Sequence, residues 1–360
     1  MWSASELSTI CMQIDNVYQM WLLSTHYAEL RFFSSPEAVA GGYAILSHTW
    51  GTPAEEQTFQ ELRAIDARCK VSNENPLDLV SHKIRRCCFL ARERGFDWVW
   101  IDTCCIDKTS SVELSEAINS MFRWYASAEV CFVYLGDVPA GCDLAAQDSA
   151  FRKAKWFQRG WTLQELIAPL NILFFSLDWQ YLGSKLDTTE LLQSITRVPC
   201  QILTREKHFA SASIAERMSW VSKRVTTRPE DIAYCLMGLF DVNLPTLYGE
   251  GRRRAFQRLQ QEIMKASYDP SLFAWGEQIC VEEKDHELLT RSNMNAMFGK
   301  WTRHPFALLA ETPHNFSERI AFTPNLASAS QPYLFWQVRK LRLVSHACIA
   351  TIRHYFRPLY

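Results

Sequence analysis

Apolar residues along this chain gather into short runs that end abruptly, and the stretches between them carry an apolar residue at every third or fourth position. The runs are Tyr43-Ala-Ile-Leu-Ser47, Trp98-Val-Trp-Ile101, Cys131-Phe-Val-Tyr-Leu135 and Asn171-Ile-Leu-Phe-Phe175. Each is too short for a helix and nearly continuous in apolar character, which is the pattern of a strand covered on both faces. Helical spacing occupies roughly 78–94, 111–127 and 160–167 between them. Strands that alternate with helices imply crossover connections, so the pattern predicts an α/β three-layer sandwich around a central, mainly parallel sheet.

The second of these helices is well marked. Ser110-x-x-Glu113 has the form of a capping box, and Leu114, Ala117, Ile118, Met121, Phe122 and Tyr125 make one apolar stripe. Beyond about residue 183 the pattern becomes helical. Ser213-x-x-Glu216 opens one helix, and Thr227-x-x-Glu230 is expected to open another that turns Ile232, Ala233, Leu236, Met237, Leu239 and Phe240 inward. A further helix starts near Gly251 with Phe256, Leu259 and Ile263. The expected division is a disordered extension over 1–19, a sheet domain over 20–183, a helical region over 184–276 packed on it, and an irregular, degenerate tail over 277–360.

Composition narrows the class. Hydrophobic residues make up 48% of the 360 positions and there are thirteen tryptophans, which favours a globular chain over a disordered one. A formal charge of −1 gives no electrostatic case for a nucleic-acid partner or an anionic membrane. The twelve cysteines are scattered, and the neighbouring pairs Cys87-Cys88 and Cys104-Cys105 lack the spacing of a zinc or redox site, so reduced thiols and no metal are expected. No basic leader opens the chain and no apolar run reaches about 18 residues, so a cytoplasmic protein without a membrane span is the expectation.

In an open parallel sheet, ligands bind outside the carboxyl ends of the strands. Ser47 closes the first run and His48, Trp50 and Gly51 follow it, Asp102 follows the second, and Arg159, Trp161 and Glu165 precede the fourth. A hydroxyl, an imidazole and an indole in one place suit a polar ligand, and Gly51 allows its close approach. The plainer reading of the first cluster is a tight turn with a half-buried tryptophan. For Asp102 it is a loop cap, and for Glu165 a backbone cap or a pair with Arg159. Cys104 and Cys105 beside His48 raise the alternative of a thiol nucleophile, which needs a nearby base and an electropositive setting; buried structural thiols fit the sequence better. Gly249-Glu-Gly-Arg-Arg-Arg254 puts three arginines at a helix start, against the helix dipole, so carboxylates or an anion should pair with them. Arg228, Glu230 and Asp231 look like an interdomain salt-bridge set.

Three blocks carry a family resemblance: Tyr43-Ala-Ile-Leu-Ser-His-Thr-Trp-Gly51, Trp100-Ile-Asp-Thr-Cys-Cys-Ile-Asp107 and Arg159-Gly-Trp-Thr-Leu-Gln-Glu165. They resemble the hallmark blocks of the fungal heterokaryon-incompatibility (HET) domain. The resemblance extends through Arg217-Met-Ser-Trp220, Arg228-Pro-Glu-Asp-Ile-Ala-Tyr-Cys-Leu-Met-Gly-Leu-Phe240 and Leu247-Tyr-Gly-Glu-Gly251, and it stops after about Tyr333. It implies self/non-self recognition and programmed death of fused, incompatible cells, a form of fungal innate immunity. The nucleotide-driven module that some members carry has no counterpart here, since no G-x-x-x-x-G-K-[ST] occurs.

The family is also similar, remotely, to Toll/interleukin-receptor (TIR) domains, which have a flavodoxin-like fold. Catalytic TIR domains cleave NAD with a glutamate that follows a tryptophan by a few positions, and Trp161 and Glu165 echo this. Nicotinamide is a good leaving group, so the main requirement is a carboxylate that stabilises an oxocarbenium-like transition state and holds the ribose hydroxyls. On this reading the chain is an NAD glycohydrolase with Glu165 as its catalytic residue. Ser47, His48, Trp50, Gly51, Asp102, Arg159 and Trp161 bind the ligand, and NAD is the substrate rather than a resident cofactor. The competing reading is a non-enzymatic assembly and signalling module that recruits protein partners, including further copies of itself.

Overall fold

The structure, a computed structural model, describes residues 19–52, 55–273 and 309–317. Most of the expected extension and of the 277–360 tail therefore lies outside the described residues. The chain divides into two compact units. The first runs to Phe209 and takes in Arg224–Thr226 and Tyr234–Thr246; the second comprises Ala210–Lys223, Thr227–Ala233 and the chain from Leu247.

The first unit is built on a seven-stranded sheet. Its strands are β1 (Met20–Ser24), β2 (Leu30–Phe33), β3 (Ala44–His48), β4 (Trp98–Ile101), β5 (Val130–Tyr134), β6 (Ile172–Phe175) and β7 (Tyr181–Ser184). Their order is β2-β1-β4-β3-β5-β6-β7. The four runs read from the sequence are the four central strands, and each is parallel to its central neighbours. The antiparallel flanks β1, β2 and β7 are additions the pattern did not reveal. β2 and β7 are short edge strands with exposed or half-buried residues, so they lack the continuous apolar character that betrays a covered strand.

The order β4-β3-β5-β6 is the flavodoxin-like one, in which the chain leaves β3 toward one side of the sheet and leaves β5 toward the other. The crevice that this divergence opens lies at the carboxyl ends of β3 and β5. Both ends are fixed by register: Ser47 pairs with Val133 and His48 with Tyr134.

Helices α1 (Phe59–Ser72), α2 (His82–Glu93), α3 (Ser111–Ser127), α4 (Ala150–Lys153), α5 (Thr162–Ile167), α6 (Thr189–Thr196) and α7 (Cys200–Leu203) complete the unit, with α10 (Met237–Phe240) against α3. The Ser110 hydroxyl accepts the Glu113 amide at the start of α3, a contact worth about 1 kcal/mol. Glu113 does not close the box, because its carboxylate takes the Asp107 amide (2.9 Å). Ala117, Ile118, Met121 and Tyr125 are buried as the stripe predicts, and Trp124 and Tyr125 pack on Trp100 of β4.

Within the second unit, Ser213 caps α8 (Ile214–Val221), and Asp269 and Ser271 accept the next amides, Ile214 (2.8 Å) and Ala215 (3.1 Å). α11 (Arg252–Ala266) holds Ala310 through both ends of the Gln260 amide (2.8 and 2.9 Å). The continuous helix expected from Thr227 is corrected: two short helices form instead, α9 (Asp231–Tyr234) and α10. Glu230, expected to close a capping box, sends its carboxylate to the Gly249 and Gly251 amides (2.9 Å each). The inward residues Ile232, Ala233, Leu236, Met237, Leu239 and Phe240 are nonetheless all buried.

Within the second unit, Arg228 stacks on Tyr248 (4.1 Å) and Tyr248 donates to Asp231 (3.0 Å). Of the three arginines at the start of α11, Arg253 pairs with Glu311 (3.4 Å).

Candidate functional site

The third block is anchored by a close backbone approach. Gly160 donates to the Val225 carbonyl (2.9 Å), and a Cβ at Gly160 would stand 2.5 Å from Thr226 Cγ2 and 3.2 Å from Cys235 Sγ. Only glycine fits. Behind it, the buried Arg224 donates through Nη1 to the Arg159 carbonyl and to Thr162 Oγ1 (2.8 Å each) at the start of α5. At the other end of α5, Lys185 donates to the Pro169 carbonyl (2.5 Å) and Arg205 to the Ala168 carbonyl. Cations at a helix C-terminus meet its dipole favourably. A helix of six residues has little stability of its own, so these clamps fix where Glu165 points.

Glu165 points inward. It is 6% exposed, and it accepts a hydrogen bond from the Ser47 hydroxyl on β3. Ser47 in turn accepts the Trp156 indole N–H (2.6 Å), and the Tyr125 hydroxyl, which donates to the Leu46 carbonyl (3.0 Å), lies against the same carboxyl. Burial pushes the Glu165 carboxyl up to about 8. The charge of Asp102 adds to the push, and Ser47, Arg159 and Tyr125 oppose it. Near neutral pH this acid holds its proton.

His48 is the next residue on β3, so the pleat turns its side chain to the opposite face. Its Nε2 lies 3.4 Å from Glu56, just before α1, and its Nδ1 lies 3.8 Å from Asp102 Oδ1. Glu56 also accepts the Gly51 amide (2.8 Å) and the Lys83 ammonium from α2. Burial works to raise the Glu56 carboxyl, but His48, Gly51 and Lys83 together outweigh it and hold it down at about 2. Here the acid is ionised.

Trp50 lies at the rim, 45% exposed, with its indole N–H on Asp102 Oδ2 (2.7 Å) and the Lys108 ammonium 4.1 Å from its ring centre. Burial draws the Lys108 ammonium down, against the pull of Asp102.

The candidate residues therefore fall into two groups that share the carboxyl edge of the sheet. Ser47 and Glu165 form a sealed core with Trp156 and Tyr125. His48, Trp50, Gly51 and Asp102 form a charged rim with Glu56, Lys83 and Lys108. Arg159 is half-buried and acts on Glu165 through its charge, while Ser47 makes the direct bond. Trp161 is half-buried just ahead of α5.

Four residues escaped the sequence reading. Trp156 sits on a 3₁₀ turn with no period to betray it, although two adjacent aromatics just before the third block were a signal. Glu56, Lys83 and Lys108 lie off the strand ends, and their roles depend on folding. Cys104 and Cys105 are buried, and the Cys104 thiol is raised well above its ordinary range by its hydrogen bond with Cys105 and by burial, the setting of a structural thiol. All nine cysteines among the described residues are free. No group of three or more His, Cys, Asp or Glu side chains among the described residues is set to hold a metal, and no helix among them is long and apolar enough to cross a membrane.

Residues 43–149 match the family model of the heterokaryon incompatibility protein (HET). Residues 254–350 match a domain of unknown function (DUF8212), so part of the stretch without a legible period falls inside a second family match. Over 227 residues, 62% of this chain, the sequence is 45% identical to vegetative incompatibility protein HET-E-1 of Podospora anserina. The chain spans 16% of that relative's length. No solved structure matches.

Proposed function

The chain is a fungal HET-domain protein, and from that premise we propose that it acts in vegetative incompatibility, as an assembly and signalling module that recruits protein partners and triggers death of fused, incompatible cells. The observation that carries this reading is the sealed state of Glu165. An acid that is buried, protonated and bonded to Ser47 supports a role in the fold, and the exposed side chain at this edge is Trp50. The test is to express wild type and Glu165→Ala in a fungal host and score cell death, while measuring nicotinamide release from NAD by concentrated purified protein. Death retained by a folded Glu165→Ala, with no nicotinamide released by wild type, is the expected result. Loss of both activities in Glu165→Ala would overturn the reading.

A second reading is TIR-like NAD cleavage with Glu165 as the catalytic carboxylate, and NAD as substrate rather than cofactor. What favours it is the convergence of all three hallmark blocks on the edge where parallel sheets bind ligands. On this reading the Glu165–Ser47 bond must open and the carboxyl must lose its proton before a ribose can be held. Assembly of several copies would supply that opening.

A further inference from the structure

A cleft of about 150 Å³ in the first unit is lined in part by the loop that joins β4 to α3. That is room for roughly five waters at about 30 Å³ each, the space of one long side chain. Met20, Phe32, Ile106 and Val112 contribute apolar wall, and Glu113 and Glu116 on α3 contribute carboxylates. Neither glutamate makes an ion pair among the described residues, and burial raises Glu113 with no cation to offset it. Trp124, 3% exposed, also lines the cleft, and its indole N–H has no acceptor among the described residues. Phe32 and Val112 are 46% and 67% exposed, so the apolar surface runs outward from the cleft.

We propose that this cleft is a docking site for a partner peptide that inserts one arginine or lysine side chain, with apolar residues on either side of it. The long stem of such a side chain suits apolar walls, and its cationic head meets Glu113 and Glu116. The flanking apolar residues cover Phe32 and Val112. A carboxylate-bearing or purely apolar segment leaves the two glutamates unanswered.

The position also carries a consequence. Cys105 and Ile106 face the cleft, while Asp102 and Lys108 of the same loop hold Trp50. An occupant thus bears directly on the loop that holds Trp50.

The proposal rests on the recruiting role proposed above, and its test separates the two. The full chain is titrated with fluorescein-labelled acetyl-Leu-Arg-Leu-Lys-Val-amide and with the control acetyl-Leu-Glu-Leu-Glu-Val-amide. Saturable binding of the first alone is expected. It should weaken tenfold or more in E113Q/E116Q, whose glutamines keep the Asp107 contact, and fall as salt is raised from 50 to 500 mM with the wild type. Absence of saturable binding, equal binding of both peptides, or unchanged affinity in the folded double variant overturns the proposal. If E113Q/E116Q loses the peptide but still kills cells, the docking site stands and the recruiting role fails.

Discussion

Glu165 and Ser47, 118 residues apart in the chain, share a buried hydrogen bond that ties the third hallmark block to the first. Its energetic signature is a pH dependence. The Glu165 carboxyl is raised in the folded state to about 8, so below the ordinary glutamate range both folded and unfolded forms are protonated and the acid costs nothing. As pH rises from about 4.5 to 8 the unfolded chain ionises first and stability falls; above that window the loss is complete. Urea denaturation should show wild type losing on the order of a few kcal/mol between about pH 5 and 8.5. Glu165→Gln, which mimics the protonated form, should keep most of it.

Glu56 titrates in the opposite sense. Its folded carboxyl is held near 2, so the stability it contributes is present above about 4.5 and lost as pH falls through 2. Glu56→Gln should be destabilised by about 1–3 kcal/mol at pH 7, because it strips the charged partner from Lys83 and His48. The variant should also unfold with a shallower acid limb, followed by circular dichroism from pH 6 to 2.

The Trp50–Asp102 bond is exposed, and it should behave so. Asp102→Asn keeps an acceptor for the indole and removes the charge; a stability change within about 1 kcal/mol is expected. With that charge gone, one of the influences that raise Glu165 is gone too, so its titration should move to lower pH.

Gly160→Ala tests the docking of α5. The added methyl meets Thr226 Cγ2 and Cys235 Sγ, so destabilisation of about 1–3 kcal/mol is expected in thermal or urea unfolding. A neutral result would mean that the third block sits more loosely than the Gly160–Val225 bond implies.

Much of the fold could be read from the chain. Runs that are apolar on both faces mark covered strands, and the Ser110 and Ser213 caps act through contacts three residues away, so both survive without tertiary knowledge. The edge strands β2 and β7 could not be read, because a strand with one open side needs no continuous apolar pattern. The Thr227 helix misled for another reason: Glu230 had a better use on the amides of Gly249 and Gly251, some twenty residues away. Strand-end logic placed Ser47, His48, Trp50, Asp102 and Glu165 at one edge of the sheet, and the structure brings them together there. It did not foresee that the pleat sends Ser47 and His48 to opposite faces, nor that Trp156 and Glu56 would be their partners.

The claim that Glu165 is a sealed, protonated acid joining the hallmark blocks can be measured directly by carbon-13 NMR titration of the glutamate side-chain carboxyls, with Glu165→Gln identifying the resonance. The account predicts a carboxyl that stays protonated at pH 7 and titrates near 8. A Glu165 resonance already ionised at pH 6 would contradict it.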